Sequence, residues 1–421
     1  MITKKWQPYP TYKDSGVEWL GKIPEHWEVK KLKYISYLTM GQSPSSDDYN
    51  HEGYGSPFLQ GNAEFGNRHP QAKIFCATVN KYAEKGDILI SVRAPVGALN
   101  EADTRYGIGR GLCSIRPRDI IIRQFAWYLI QVVKVELNFL STGSTYEAVA
   151  VTDISNLSCL LPPLHEQQKI AEFLDEETSK IDKLITKKER LIELLKEKRT
   201  ALISHAVTKG LNPDVPMKDS GVEWLGEIPE HWEVKKLKYI SYLTMGQSPS
   251  SDDYNHEGYG SPFLQGNAEF GNRNPEAKIF CATVNKYAEK GDILISVRAP
   301  VGALNEADRR YGIGRGLCSI RPRDIIIREF AWYLIQVVKV ELNFLSTGST
   351  YEAVAVTDVS NLSCLLPPLP EQQKIAQFLD RETSKIDNLI TKTRTSIDHL
   401  KEYRTALISA AVTGKIDVRE H

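Results

Sequence analysis

One stretch is too long and too regular for the interior of an ordinary domain. From His165 to Thr208 there is no glycine or proline, and apolar residues recur at alternating steps of three and four: Leu174, Ile181, Leu184, Leu191, Leu195 and Leu202. Lysine, glutamate, aspartate and arginine fill the steps between. This is the pattern of a long amphipathic helix with a narrow seam, roughly 60 Å at 1.5 Å per residue. The motif that opens it, Pro163-Leu164-His165-Glu166-Gln167-Gln168-Lys169-Ile170, returns as Pro368-Leu369-Pro370-Glu371-Gln372-Gln373-Lys374-Ile375. A second seam follows it: Leu379, Ile386, Leu389, Leu400 and Leu407. A chain with two such rods, each behind a globular stretch, alternates heads and rods.

The heads are also copies. From Lys13 to about Thr208, residue i matches residue i+205 without a gap, with about eighteen differences over roughly 196 positions. This is a tandem duplication. About six differences fall in the heads and about twelve in the rods, where Glu176 faces Arg381 and Glu189 faces Arg394 in the alignment. Rods that pair with each other need complementary surfaces, and charge swaps beside the seam favour the mixed pair. Recent duplication with drifting exposed faces fits equally well. The segments divide as head 1–162, rod 163–208, linker 209–217, head 218–367, rod 368–413 and tail 414–421. Lys209-Gly210-Leu211-Asn212-Pro213-Asp214-Val215-Pro216 stops the first helix.

Composition narrows the class. With 421 residues, 41% hydrophobic and 25% charged, the chain has ordinary soluble proportions. No run approaches the ~20 apolar residues of a membrane span, and the first residues lack a signal-peptide core. Six cysteines, three per half, include no CxxC pair; buried free thiols in a cytoplasmic protein are expected. A formal charge of zero means that any basic surface must come from local arrangement.

Within a head, His26 and Trp27 read as packing residues of an entry segment that feeds a strand near Glu28–Leu32. Gly41 to Lys73 is a polar stretch rich in glycine, serine, asparagine and aspartate. In Gly86–Arg93, Ile88, Ile90 and Val92 share one strand face, with Arg93 on the other beside Leu89 and Ser91. A further strand or loop edge, Tyr106 to Arg116, carries Arg110 between glycines, where backbone approaches a ligand closely. Phe125 to Leu140 is an amphipathic helix, and Ser141 to Tyr146 is a polar loop. The head is therefore α+β.

These loops supply groups that read base edges and hold phosphates. The candidates are Gln42, Ser43, Ser45, Gln60, Asn62, Arg68, Arg93, Arg110, Thr142, Ser144 and Tyr146. Their counterparts are Gln247, Ser248, Ser250, Gln265, Asn267, Arg273, Arg298, Arg315, Thr347, Ser349 and Tyr351. Gly107 to Gly111 has the wrong spacing for a dinucleotide fingerprint. No Walker A sequence, SAM-type glycine motif or NPPY-like tetrapeptide is present. His69 becomes Asn274 and His165 becomes Pro370 in the second half, so neither suits a catalytic role required twice. A binder is indicated. The rival readings are a coiled-coil scaffold with heads that bind something other than DNA, and an enzyme such as a lone nuclease.

Three segments in combination resemble one family. Lys-Asp-Ser-Gly-Val-Glu-Trp-Leu-Gly-Lys-Ile-Pro-Glu-His-Trp-Glu-Val opens the first head and, with Glu227 for Lys22, the second; Gly-Asp-Ile-Leu-Ile-Ser-Val-Arg lies within each; Leu-Pro-Pro-Leu-x-Glu-Gln-Gln-Lys-Ile-Ala opens each rod. With the closing Ala-Val-Thr-Gly-Lys-Ile-Asp-Val, they are similar to the specificity subunits of type I restriction-modification systems, over essentially the whole chain. The resemblance implies two target-recognition domains joined by two antiparallel helices in a pseudo-two-fold coiled coil. Each domain would read half of a bipartite double-stranded DNA target, with helix length setting the unread spacer. It also implies a subunit without catalysis or cofactor of its own. Two methyltransferase subunits would supply SAM chemistry, and restriction subunits would supply ATP-driven cleavage. The near identity of the two heads departs from the family's usual pattern and implies an interrupted palindrome. His69/Asn274, Gln71/Glu276 and Thr104/Arg309 are the differences that bear on that symmetry.

Overall fold

The structure, a computed structural model, describes residues 7–137, 148–342 and 353–420. The chain forms two compact units: residues 1–188 with 395–421, and residues 189–394. The boundaries run through the rods rather than between head and rod. Each unit contains one head, the first half of one long helix and the second half of the other.

In the first unit a four-stranded antiparallel sheet takes the order Leu99–Glu101, Ile88–Ser91, Leu112–Pro117, Ser36–Met40. A five-stranded mixed sheet takes the order Tyr49–Asn50, Ile74–Cys76, Ser56–Leu59, Tyr106–Ile108, Tyr82–Ala83, with Tyr106–Ile108 parallel to Ser56–Leu59. The strand Ile88–Ser91 is buried throughout. Its alternation divides two cores: Leu89 joins Leu59, Tyr106, Ile108 and Leu112. In the second unit Ile293 and Ile295 join a large core with Trp232, Phe330 and Leu379, while Leu294 joins the smaller one. The stretch from Tyr106 to Arg116, read as a strand or loop edge, is two strands in different sheets, parted at Gly109-Arg110-Gly111. The expected polar loop from Gly41 to Lys73 holds two short strands, because Phe58 and Leu59 are buried and Tyr49 stacks on Phe58. The helix expected from Phe125 is Arg123–Val133.

Gln7 and Tyr12 are tied to the end of the chain. The Asp417 amide donates to the Gln7 carbonyl at 2.7 Å, and the Tyr12 hydroxyl donates to the Gly414 carbonyl at 2.9 Å. The C-terminal tail thus completes the first unit. All six cysteines are free and buried; desolvation pushes the Cys113 thiol up to about 12.

The long helices are Leu164–Lys209 and Leu369–Val412. Two residues of the opening motif tie each to its head. Gln167, fully buried, accepts from the Ile122 amide at 2.8 Å and donates to the Ile120 and Pro162 carbonyls at 3.1 and 2.8 Å. Glu166, also buried, accepts from Trp27 Nε1 at 2.9 Å and from Tyr9 at 3.2 Å, and lies 2.6 Å from His26 Nε2. His26 and Trp27 therefore serve the head–helix joint.

The helices pair antiparallel within each unit. In the first, Arg404 Nε meets Asp182 at 2.9 Å; in the second, Arg199 Nε meets Asp387 at 3.0 Å, while Ile203, Ala206 and Val207 share a core with Ile375, Ala376 and Leu379. Of the seam residues, Leu174, Ile181, Leu195, Leu379, Ile386, Leu400 and Leu407 are buried and Leu202 is partly buried. Leu184, Leu191 and Leu389 are not in the seam, being 40%, 40% and 45% exposed. Each is followed by a buried isoleucine, Ile185, Ile192 or Ile390. Steps of three and four fit either of two neighbouring stripes, and the partner helix lies on the isoleucine side. Ile192→Ala is therefore expected to cost about 2–4 kcal/mol, against less than about 1 kcal/mol for Leu191→Ala. Urea unfolding of the two variants compares them directly.

Candidate nucleic-acid interface

Strand pairing gathers loops that are distant in sequence. Because Tyr106–Ile108 runs parallel to Ser56–Leu59, the turns after both strands, Gly109–Gly111 and Gln60–Asn62, emerge at one end. Ser36–Met40 and Ile88–Ser91 are both antiparallel to Leu112–Pro117, so Gly41–Ser43 and Val92–Arg93 arrive at that same end. Backbone bonds lock the group: Gly109 N to Leu59 O at 2.8 Å, Gln42 N to Ile108 O at 2.9 Å, Gly41 N to Leu112 O at 2.9 Å and Val92 N to Gly111 O at 2.9 Å. The glycines are required by crowding: a Cβ on Gly111 would lie 2.9 Å from the Gln60 carbonyl oxygen.

Gln42, Gln60, Arg93 and Arg110 are exposed around this tip, with Ser43 and Asn62 half-buried. Ser43 faces inward, its Oγ accepting the Arg110 amide at 3.2 Å. Ser45 is exposed two residues on, before the short helical turn Ser46–Asp48. Among the described residues neither Arg93 nor Arg110 has a carboxylate partner, so both guanidinium groups are free to meet an anion or a base edge. The second head repeats the cluster with Gln247, Ser248, Ser250, Gln265, Asn267, Arg298 and Arg315, down to the 3.2 Å bond from the Arg315 amide to Ser248 Oγ.

Two residues overlooked in the sequence brace the Arg93 loop. Ser91 Oγ donates to the Pro95 carbonyl at 2.6 Å, and Lys134 Nζ donates to the Gly97 carbonyl at 2.9 Å. Desolvation holds the Lys134 ammonium below the ordinary lysine value. Their only sequence signal would have been a lysine at the end of an otherwise apolar helix.

Arg68 and Arg273 stand apart from the cluster. Arg68 Nε meets Glu101 at 2.9 Å and the guanidinium lies 5.3 Å from the Trp127 ring centre; Arg273 repeats this with Glu306 and Trp332. Thr142, Ser144, Tyr146, Thr347, Ser349 and Tyr351 lie outside the described residues. The head differences fall away from the tip. His69 Nδ1 and Asn274 Nδ2 bond to the same backbone carbonyl, Glu101 and Glu306 respectively, at 3.0 and 2.8 Å. Arg309 is engaged by Tyr311, its Nε 3.2 Å from the hydroxyl.

Comparison with known proteins identifies the architecture. The family described as "Type I restriction modification DNA specificity domain" matches residues 24–194 and again 229–399. The chain is 32% identical over 420 residues to a protein of Methanocaldococcus jannaschii named the type I restriction enzyme MjaX specificity subunit, covering 95% of this chain and 96% of that one. It is 20% identical to the EcoKI specificity subunit of Escherichia coli K12, over 94% and 90% of the two chains. Among solved structures, a chain of a type I R-M system aligns with a TM-score of 0.75 at 24% identity, over 93% of this chain and 98% of that one. The HsdS subunit from Thermoanaerobacter tengcongensis aligns at 0.52 and 25% identity, over 94% and 98%. With two matched domains, each carrying the same loop-tip cluster, the chain belongs to the type I restriction-modification DNA specificity family.

Proposed function

We propose that this chain reads a bipartite double-stranded DNA target, one half-site per head, and presents it to methyltransferase subunits and restriction subunits. It takes no catalytic part itself, and SAM and ATP belong to those partners. The observation that carries this reading is the tip cluster of Arg93, Arg110, Gln42 and Gln60, present twice. Arginine forks suit guanine edges and glutamine amides suit adenine edges. The six head differences all lie outside segments 41–45, 60–62, 91–93 and 109–111. Equal readers favour an inverted repeat with an unread gap.

Selection from a randomised duplex pool by the full chain, co-expressed with its methyltransferase partner, tests this. Two inverted copies of one short word at a fixed separation are expected. A single uninterrupted, asymmetric word would overturn the reading.

A further inference from the structure

Arg68 and Arg273, left out of the tip cluster, line a second feature that occurs once in each unit. In the first unit a cleft of about 650 Å³ opens between the head and the paired helices. In the second the corresponding cleft is about 860 Å³. One wall is aromatic, Trp127 and Tyr128 in the first and Trp332 and Tyr333 in the second; the other is formed by the rods.

The charges are lopsided. The first cleft is lined by Arg68, Lys183, Lys187 and Arg404 against Asp175 and Asp182; the second by Lys196, Arg199, Arg273 and Arg394 against Asp380 and Asp387. The carboxylates are already engaged. Asp175 accepts the Tyr128 hydroxyl at 2.6 Å and Asp182 binds Arg404; Asp380 accepts Tyr333 at 2.7 Å and Asp387 binds Arg199. Among the described residues Lys183, Lys187 and Arg394 have no carboxylate partner, and Arg68 commits only its Nε to Glu101. Four cations gathered in a concavity repel one another, and low-dielectric walls strengthen that field.

The rods have diverged here without losing the excess. Lys183 is Asn388 in the second copy, which removes a cation, while Arg394 stands where the first copy has Glu189 and lines the cleft. Each lining thus holds four cations against two acids, with Lys196 also paired to Glu193 at 2.9 Å.

We propose that each cleft seats a phosphodiester of the DNA backbone beside the half-site, independent of sequence. The assignment rests on the DNA reading above. The segment from Gln60 to Gln71 joins the two places, with Gln60 and Asn62 at the tip cluster and Arg68 at the cleft. It is held by the Asn100 side chain on the Gly66 carbonyl at 2.9 Å and by the Glu101 amide on the Arg68 carbonyl at 2.7 Å. One duplex can therefore engage base-reading and backbone-holding groups from a single braced loop.

The test uses the full chain with its methyltransferase partner, carrying Lys183→Gln, Lys187→Gln and Arg394→Gln. All three side chains are exposed and glutamine is a good helix former. The probes are the duplex selected by the wild type and a random-sequence duplex of equal length. Both are expected to bind more weakly by the same factor, roughly 10- to 100-fold at ~0.1 M salt, with a log–log salt slope shallower by about 2–3. Base preference is expected to stay unchanged, and phosphates beside the half-site whose ethylation blocks the wild type should cease to matter. The charge-conserving set Lys183→Arg, Lys187→Arg and Arg394→Lys should keep the wild-type slope. An unchanged slope in the glutamine variant overturns the assignment. So does loss of the methyltransferase partner with DNA binding intact, which would give the clefts to a protein surface. If the wild type retards no duplex at all, the DNA reading itself falls and the clefts with it.

Discussion

Replacing Arg110 and Arg315 together by alanine is expected to remove about 1–3 kcal/mol of base discrimination in each half-site. That corresponds to roughly 5- to 150-fold per half, while affinity for random DNA should change little. The size follows from preorganisation. The Arg110 backbone is clamped by Ser43 Oγ, and its flanking glycines pack against the turn after Ser56–Leu59, so the guanidinium projects from a rigid tip. No carboxylate among the described residues competes for it, and little is lost in freeing the fork. Lysine keeps the charge but not the planar pair of donors, so Arg110→Lys with Arg315→Lys should not recover the discrimination. Competition binding against duplexes altered one base pair at a time measures this. Uniform weakening with a shallower salt slope would instead assign these arginines to phosphates.

The second large effect concerns stability. Gln167→Ala and Gln372→Ala should each destabilise their unit by about 2–4 kcal/mol, because each leaves a buried carbonyl and a part-buried amide and carbonyl without their partner. Gln372 repeats the bonds of Gln167: it accepts from Ile327 at 2.9 Å and donates to Ile325 and Pro367 at 3.1 and 2.8 Å. Glutamate is nearly isosteric but supplies only acceptors when ionised, so Gln167→Glu should be no better than alanine. The neighbouring Gln168 is exposed and bonds Glu172 within the helix; Gln168→Ala should change stability by less than about 0.5 kcal/mol. Thermal unfolding of the three variants gives the contrast. Equal melting temperatures for Gln167→Ala and Gln168→Ala would show that the joint does not depend on this side chain.

Taken alone, the amino-acid order determined what depends on near neighbours. Helical periodicity, the strand alternation of Ile88, Ile90 and Val92, the glycine and proline stops after Thr208, and the 205-residue repeat are local or self-referential properties, and they sufficed for two α+β heads and two long helices. It also named most of the residues now found at the tip. Tertiary structure alone decided which of them meet. Arg68 and Arg110 look alike in a loop-rich sequence, yet one stacks on Trp127 at the cleft and the other stands with Gln42 and Gln60. That separation follows from hydrogen bonding between strands tens of residues apart, which no local pattern encodes. The seam was decided in the same way: Leu184 and Ile185 are equally apolar, and only the line taken by the second helix buries one and leaves the other in water.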